Sequence, residues 1–309
     1  MTRCLDTSTR DKVVRIVPLR RNTKPRPSWA LLTVCASLLL WAPREATAKR
    51  TVWSEAVAPS GGSASAIGSY TAGCVRGAKK LALSGTGYQV MRPKRKRYYG
   101  HPALLSVIQD LGATMLAAKH GPILVGDLGQ AKGGPSPRGH ASHQSGLDVD
   151  IWFWHPKVAE KRRLTRRERR RIPNHRVVDP KKLKYTKYWS DDVPAMIFAA
   201  AADSRVSRVL VNPLIKKRLC ETKGIDRTLL RKIRPWYGHA DHMHVRLHCP
   251  KGSKHCVPQD AVPEDDGCGD LEWWLSPKAR KDRKKGKKEY LSNVGAVPLL
   301  PEQCQELVR

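Results

Sequence analysis

The sequence predicts an α+β fold, because amphipathic helical stretches alternate with short β-rich runs but without the regular rhythm of a doubly wound sheet. Two further observations bound that class. Of 309 residues, 40% are hydrophobic, enough to bury a core. No heptad and no longer repeat recurs, which excludes coiled coils and solenoids. Only one apolar run approaches membrane length, so a polytopic membrane protein is excluded as well.

That run, Trp29 to Trp41, follows an Arg/Lys-rich stretch and leads to the small residues Ala46-Thr47-Ala48. It is short for a bilayer span, and the pattern predicts that residues 1–48 are a cleaved secretory signal, leaving no transmembrane segment. Residues 49–72, rich in Ala, Ser and Gly, read as a flexible leader, and residues 73–309 as the folded domain with a basic C-terminal segment. Removing residues 1–48 takes away nine Lys/Arg and three Asp/Glu, so 49 basic side chains still face 24 acidic ones, a net charge of +25. Six cysteines remain: Cys74, Cys220, Cys249, Cys256, Cys268 and Cys304. An even number in an oxidising compartment predicts three disulfides, but spacing does not choose among the pairings.

Within the domain, apolar residues at helical period predict a helix over His101–His120. PILVGD (122–127) is a short β-rich run, and the Gly/Pro-rich stretch 129–139 is a loop. LDVDIWF (147–153) alternates as a strand. Ser190, Asp191 and Asp192 open a helix that runs to about Asp203. VSRVLV (206–211) reads as a strand, two short helices follow around Ile215 and Leu230, and HMHVRL (242–247) is a last alternating strand.

Three basic runs stand out, at 94–97 (KRKR), 162–171 (RRLTRRERRR) and 278–288 (KARKDRKKGKK). Each alone is compatible with a solvated surface. Together, in an exported chain, they imply an anionic wall polymer or membrane surface as partner. Nucleic acid is not expected, because the runs lack interleaved aromatics.

Six of the 11 histidines fall in two segments, 139–153 and 239–249. Period-2 geometry sorts them. In the first segment Val149 and Ile151 share one strand face while Asp148, Asp150 and Trp152 share the other; in the second, Met243 and Val245 oppose His242, His244 and Arg246. If the two strands are neighbours, Asp150 approaches His242 and His244, and His143 folds back over the same face across the turn Gln144-Ser145-Gly146. Two imidazoles and one carboxylate form a three-ligand set that leaves a zinc position open for water, as in catalytic rather than structural sites. Such an ion lowers the pKa of bound water toward about 7 and polarises a carbonyl. Spacing does not decide whether His242 or His244 ligates; the other imidazole would serve as proton acceptor or oxyanion partner. His140 and His239 are candidates for further ligands, substrate contacts or supporting partners, and Asp148 for orienting a ligand. No H-E-x-x-H, S-x-x-K or G-x-S-x-G occurs, which excludes helix-borne metalloprotease sites, penicillin-binding serine enzymes and nucleophile-elbow hydrolases.

The strings GHASHQSGLDVDIWF (139–153) and RPWYGHADHMHVRLHCP (234–250), with YQVMR (88–92), RYYGHP (97–102), VNPLIKKRLC (211–220) and DDGCGD (265–270), resemble the penicillin-insensitive murein endopeptidases, relatives of the lysostaphin and D-alanyl-D-alanine metallopeptidases. The resemblance covers about Cys74 to Cys304. It implies a small central antiparallel sheet flanked by helices. It also implies periplasmic hydrolysis of the D-alanyl to meso-diaminopimelyl cross-link of peptidoglycan by one Zn²⁺, indifferent to β-lactams. The implied ligands are His143, Asp150 and His244, with His140 sometimes at the metal, and the implied catalytic residues are His242, the assisting base, and His239 beside it. The implied disulfides are Cys74–Cys304, Cys220–Cys268 and Cys249–Cys256. The chain departs from the family pattern in its Arg-rich stretch 162–171. A second metal site is replaced by PNHRVVD (173–179), so one ion is expected, with His175 the residue in question. A D,D- or L,D-carboxypeptidase and a non-catalytic zinc-containing wall-binding protein are the alternative readings.

Overall fold

The computed structural model describes residues 51–137, 140–283 and 299–309. The expected signal peptide and residues 284–288 of the basic tail lie outside the described residues. Thirteen strands in chain order are β1 (Ser65–Gly68), β2 (Gly73–Arg76), β3 (Lys79–Lys80), β4 (Ser84–Gly85), β5 (Tyr88–Val90), β6 (Tyr99–Gly100), β7 (Ile123–Val125), β8 (Asp148–Trp152), β9 (Val178–Asp179), β10 (Lys184–Tyr185), β11 (Val206–Val211), β12 (Ile233–Pro235) and β13 (His242–Leu247). The helices with both ends among the described residues include α1 (Val52–Glu55), α2 (Pro102–Ala117), α3 (Lys157–Lys161), α4 (Arg166–Arg171), α5 (Asp192–Ala202), α6 (Pro213–Glu221), α7 (Arg227–Lys232) and α8 (Leu271–Leu275). A further short helix, Glu302–Glu306, closes the chain.

The architecture is α+β, but the central sheet corrects the expected small antiparallel one. It has seven strands in the order β12-β11-β13-β8-β7-β5-β4 and is mixed. Pairs β5/β7 and β11/β12 are parallel. The reason is connectivity: a parallel pair needs a crossover, and α2 supplies one between β5 and β7 while α6 and α7 supply the other.

Helix α2 begins where the sequence says it should. Pro102 occupies the first turn and the His101 side chain accepts from the Ala103 amide. Its face of Leu104, Val107, Ile108, Leu111 and Met115 is buried against Val149, Ile151, Met243 and Val245 of the sheet and Met196, Ile197 and Ala200 of α5. Each such side chain contributes roughly 1.5–3 kcal/mol of transfer free energy. The opposite sheet face carries Asp148, Asp150, His244 and Arg246, with Trp152 starting a smaller cluster with Met91, Leu124, Ala159 and Leu164. The polar alternation read from the sequence is therefore real, and both faces are covered.

Residues 51–72 are not a flexible leader. Strand β1 pairs antiparallel with β2, and Trp53 and Ile67 bury against Cys74, Leu300 and Cys304. Average composition concealed three apolar anchors, Trp53, Ile67 and Tyr70, and Tyr70 also donates its hydroxyl to the Leu247 carbonyl at 2.7 Å. The disulfides are Cys74–Cys304, Cys220–Cys268 and Cys249–Cys256, as the resemblance implied. The first ties the two ends of the domain across 230 residues.

The Arg-rich run 162–171 is not uniformly solvated surface either. Thr165 and Glu168 form a capping box that starts α4. Arg169 is buried and donates to the carbonyls of Leu164, Leu83 and Val90, to Ser84 Oγ and to Gln89 Oε1. Those contacts pin α4 to the sheet edge and turn the other arginines outward.

Candidate metal centre

Strands β8 and β13 are antiparallel neighbours with His244 directly opposite Asp150 and Arg246 opposite Asp148. One residue of slip would send both carboxylates into the apolar core, so the buried face Val149/Ile151/Met243/Val245 fixes the register. The turn before β8 uses Gly146 at φ 72°, where a Cβ would meet Val75 Cγ1 at 3.0 Å. His143 is itself left-handed, at φ 69°, and His239 has φ 32°. Such strain in non-glycine residues persists only where surrounding contacts over-determine it, and it concentrates at functional sites. For His143 the contact is its backbone N–H, which donates to Asp148 Oδ2 at 3.0 Å.

Four imidazoles converge on Asp150. His244 Nδ1 lies 3.1 Å from Oδ1, His143 Nε2 3.4 Å, His140 Nδ1 3.6 Å from Oδ2, and His242 Nε2 3.8 Å from Oδ1. Ligand atoms of His140, His143 and Asp150 all lie within 4.8 Å of one another, the spacing of groups able to share one cation. Three of these rings are backed on the far side by a carboxylate: His140 Nε2 meets Asp127 Oδ2 at 3.0 Å, His242 Nδ1 meets Asp241 Oδ1 at 2.5 Å, and His244 Nε2 lies 3.4 Å from Asp148 Oδ2. A carboxylate behind an imidazole fixes its tautomer and raises its basicity as a ligand. His143 is the exception. It is buried, its Nε2 reaches Asp150 only at ion-pair distance, and neither ring nitrogen has a hydrogen-bond partner among the described residues. An orphaned buried polar group costs about 1–3 kcal/mol, and a cation held with Asp150 is what this ring is shaped to receive. The residues present therefore fit a metal ion.

The electrostatics agree. Burial pushes the Asp150 carboxyl up, yet His143, His242 and His244 hold it well below the usual range. Burial likewise opposes charge on His244, but Asp148 and Asp150 outweigh it and raise this imidazole to about 9. His242 also ends above the ordinary value: Asp150 and its hydrogen bond to Asp241 overcome burial. His239 goes the other way, pushed down to about 3 by burial and by the facing rings of His242 and His244. A carboxylate held in its charged form thus stands where the four rings meet.

Penicillin-insensitive murein endopeptidase is the description of the family whose sequence profile matches residues 66–309. The chain belongs to that family. Among similar proteins of that name, one from Yersinia enterocolitica is 44% identical over 259 residues, covering 84% of this chain and 90% of the relative. Another from Klebsiella pneumoniae is 42% identical over 286 residues, covering 89% and 97%, and one from Pectobacterium atrosepticum is 41% identical over 261 residues, covering 84% and 89%. As a murein endopeptidase family member, the protein is an enzyme of the peptidase class.

The structure brings together the residues singled out from the sequence for the metal and its catalytic partners, but not His175. His140, His143, Asp150, His242 and His244 form the cluster, and His239 packs its ring 5.0 Å from His242 and 5.9 Å from His244. His175 stands apart, stacked on Tyr188 at 3.8 Å and against Trp154. Two supporting carboxylates were missed. Asp127 closes the run PILVGD and was read only as a strand end; Asp241, next to His242, hydrogen-bonds its Nδ1 at 2.5 Å. Adjacency to a histidine was the available signal for Asp241, whereas nothing in the sequence ties Asp127 to His140.

Proposed function

We propose that the protein is a zinc endopeptidase that hydrolyses the D-alanyl to meso-diaminopimelyl cross-link of peptidoglycan in the periplasm. One observation carries this reading: the buried, unpartnered His143 imidazole lies within 4.8 Å of Asp150 and His140 ligand atoms on a sheet face with no apolar task. His143, Asp150 and His244 would hold the ion, with His140 at its edge. When bound, Zn²⁺ supplies a Lewis acid for the scissile carbonyl and lowers the pKa of water.

The chain's own residues divide the remaining work. Asp241 occupies His242 Nδ1, so Nε2 is left facing the cluster as the nitrogen that accepts a proton from attacking water and passes it to the leaving amine. His239 donates its Nδ1–H to the Tyr237 carbonyl at 3.2 Å and is held neutral, which leaves its other nitrogen an acceptor able to orient the attacking water or an N–H of the substrate. Asp127 and Asp148 hold the rings of His140 and His244. No nucleophilic serine is involved, so β-lactams should not inhibit. The remaining arginines of α4, among them Arg166, Arg167, Arg170 and Arg171, are exposed and fit an anionic wall or membrane surface. Among the described residues, no helix is long and apolar enough to cross a membrane.

The test is zinc analysis together with chromatography of muropeptide dimers after digestion. One equivalent of zinc, conversion of dimers to monomers, and loss of both in His143→Ala are expected. Loss of terminal D-alanine from monomers with dimers left intact would replace this reading by a carboxypeptidase. Binding to sacculi without any release would replace it by a wall-binding protein.

A further inference from the structure

Helix α4 carries charge that the fold does not use. Arg169 is absorbed into the interior, and Arg162 holds both oxygens of Glu168, at 2.9 and 2.7 Å. Glu160, the other acid in residues 157–171, faces His155 and Lys157. Arg163, Arg166, Arg167, Arg170 and Arg171 remain. All five are exposed, and none of their side chains has a hydrogen bond or an acidic partner among the described residues. Arg166 and Arg170, and likewise Arg167 and Arg171, stand four residues apart on the helix, where like charges repel.

The helix that bears them is firmly placed. Besides the capping box and the buried Arg169, Arg92 clamps its end: the Arg92 amide and Nη1 donate to the Arg169 carbonyl at 3.2 and 2.9 Å, and Nη2 to the Ile172 carbonyl at 2.7 Å. Fixed like charges without an internal counter-charge suit an external polyanion. The position of α4 says which one. Leu164 and Ile172, at its two ends, pack with Met91, Leu124 and Trp152. Trp152 shares the strand face of Asp150 and stands opposite His242, so α4 covers the same sheet face that carries the metal centre. A membrane laid against α4 would stand between that layer and the wall, whereas a wall polymer laid there brings its own peptides to it. Peptidoglycan also matches by charge, because its stem peptides carry free carboxylates, which guanidinium groups bind in fork pairs.

We propose that the exposed arginine face of α4 is an accessory docking surface for peptidoglycan, binding carboxylates of stem peptides other than the one being cut. The inference rests on the murein reading of the metal centre and commits the anionic partner of α4 to the wall.

The test pellets the zinc-loaded protein with purified sacculi, with sacculi whose carboxyl groups have been amidated, and with phosphatidylcholine vesicles containing phosphatidylglycerol. Wild type should pellet with native sacculi, and amidation should remove most of that binding. Arg166→Gln, Arg167→Gln, Arg170→Gln and Arg171→Gln combined keep good helix formers in place. They should weaken sacculus binding at least about tenfold, since each exposed ion pair is worth up to about fivefold. A control combining Lys79→Gln, Lys223→Gln, Lys251→Gln and Lys254→Gln, all at exposed positions, has the same net charge and should lose much less. In the arginine variant the fall in muropeptide release from sacculi should exceed any fall on soluble dimers. Arg167→Gln with Arg171→Gln answers the same question if the larger set is unstable. Equal losses in the arginine and lysine sets, undiminished binding in the arginine variants, or wild-type affinity for amidated sacculi overturns the docking surface. Binding through α4 to the vesicles and not to sacculi overturns it as well. Failure to cut dimers, with α4-dependent sacculus binding retained, overturns the murein reading alone.

Discussion

Asp148 and Asp150 lie two residues apart on one strand, point from the same face and are both buried, yet their surroundings assign them opposite tasks. Asp148 is saturated. Arg246 donates to it from Nε at 2.8 Å and Nη2 at 3.0 Å, the His143 amide donates at 3.0 Å, and His244 Nε2 closes from 3.4 Å. Arg246 is itself stacked over Tyr70 at 4.1 Å and tied to Gln259. Asp150 has no guanidinium. It faces four imidazoles, none with its second carboxylate oxygen in a bidentate grip. A carboxylate with a cation of its own is a structural part, and one that meets only imidazoles retains the capacity to share a metal ion.

That contrast can be broken by substitution. Asp150→Asn should abolish zinc binding and turnover while leaving the fold intact, because the group it removes compensates no fixed cation; metal analysis and circular dichroism check both halves. Asp148→Asn should do the reverse in order of severity, destabilising first. Removing one partner of a buried ion pair costs about 3–5 kcal/mol, read as a fall in the denaturation midpoint, with the loss of zinc following from a displaced His143. If Asp148→Asn lost metal with unchanged stability, the distinction between the two would fail.

His242→Ala sharpens the picture on the catalytic side. It should keep its zinc and lose roughly 10²–10⁴ in kcat, the range for a positioned base; wild-type turnover in this variant would remove His242 from the mechanism. Asp127→Asn is the milder case. It leaves His140 in place without its carboxylate, and zinc affinity should fall about 10- to 100-fold by competition with a chelator.

Lys216 gives the smallest effect and a control far from histidine chemistry. Fully buried on α6, it donates to the Leu230 and Asp266 carbonyls, and burial pulls its ammonium down to about 7. Its folded value lies below its unfolded value, so protonation opposes folding. The penalty is complete below about pH 7 and fades as pH rises toward the free-lysine range. Lys216→Met should therefore gain on wild type below pH 7 and lose ground between pH 7 and 10, measured as the difference in Tm across that range.

Much of this was legible in the chain. Alternation in LDVDIWF and HMHVRL placed the carboxylates and imidazoles on the faces they occupy, and the helices and strands at 101–120, 206–211 and around 215 and 230 formed where periodicity put them. The central sheet was misjudged because parallel pairs arise from crossovers, which periodicity does not report. Residues 51–72 were misjudged because three anchors outweigh a run of small residues once a groove exists to receive them. Arg169 lies in the most basic stretch and is buried, since only the folded chain presents five acceptors to one guanidinium.

Local composition and period determined which residues could hold a metal and which way they faced, because backbone geometry alone makes side chains alternate along a strand. Only the tertiary structure decided how those residues were employed. Asp150 became the shared carboxylate because Arg246 sits opposite Asp148 and not opposite Asp150, and Asp127 came to support His140 because the pairing of β7 with β8 brings the connection carrying His140 back against the end of β7. Partnership between distant groups depends on register and crossover, and those are set by burying the other face of the sheet.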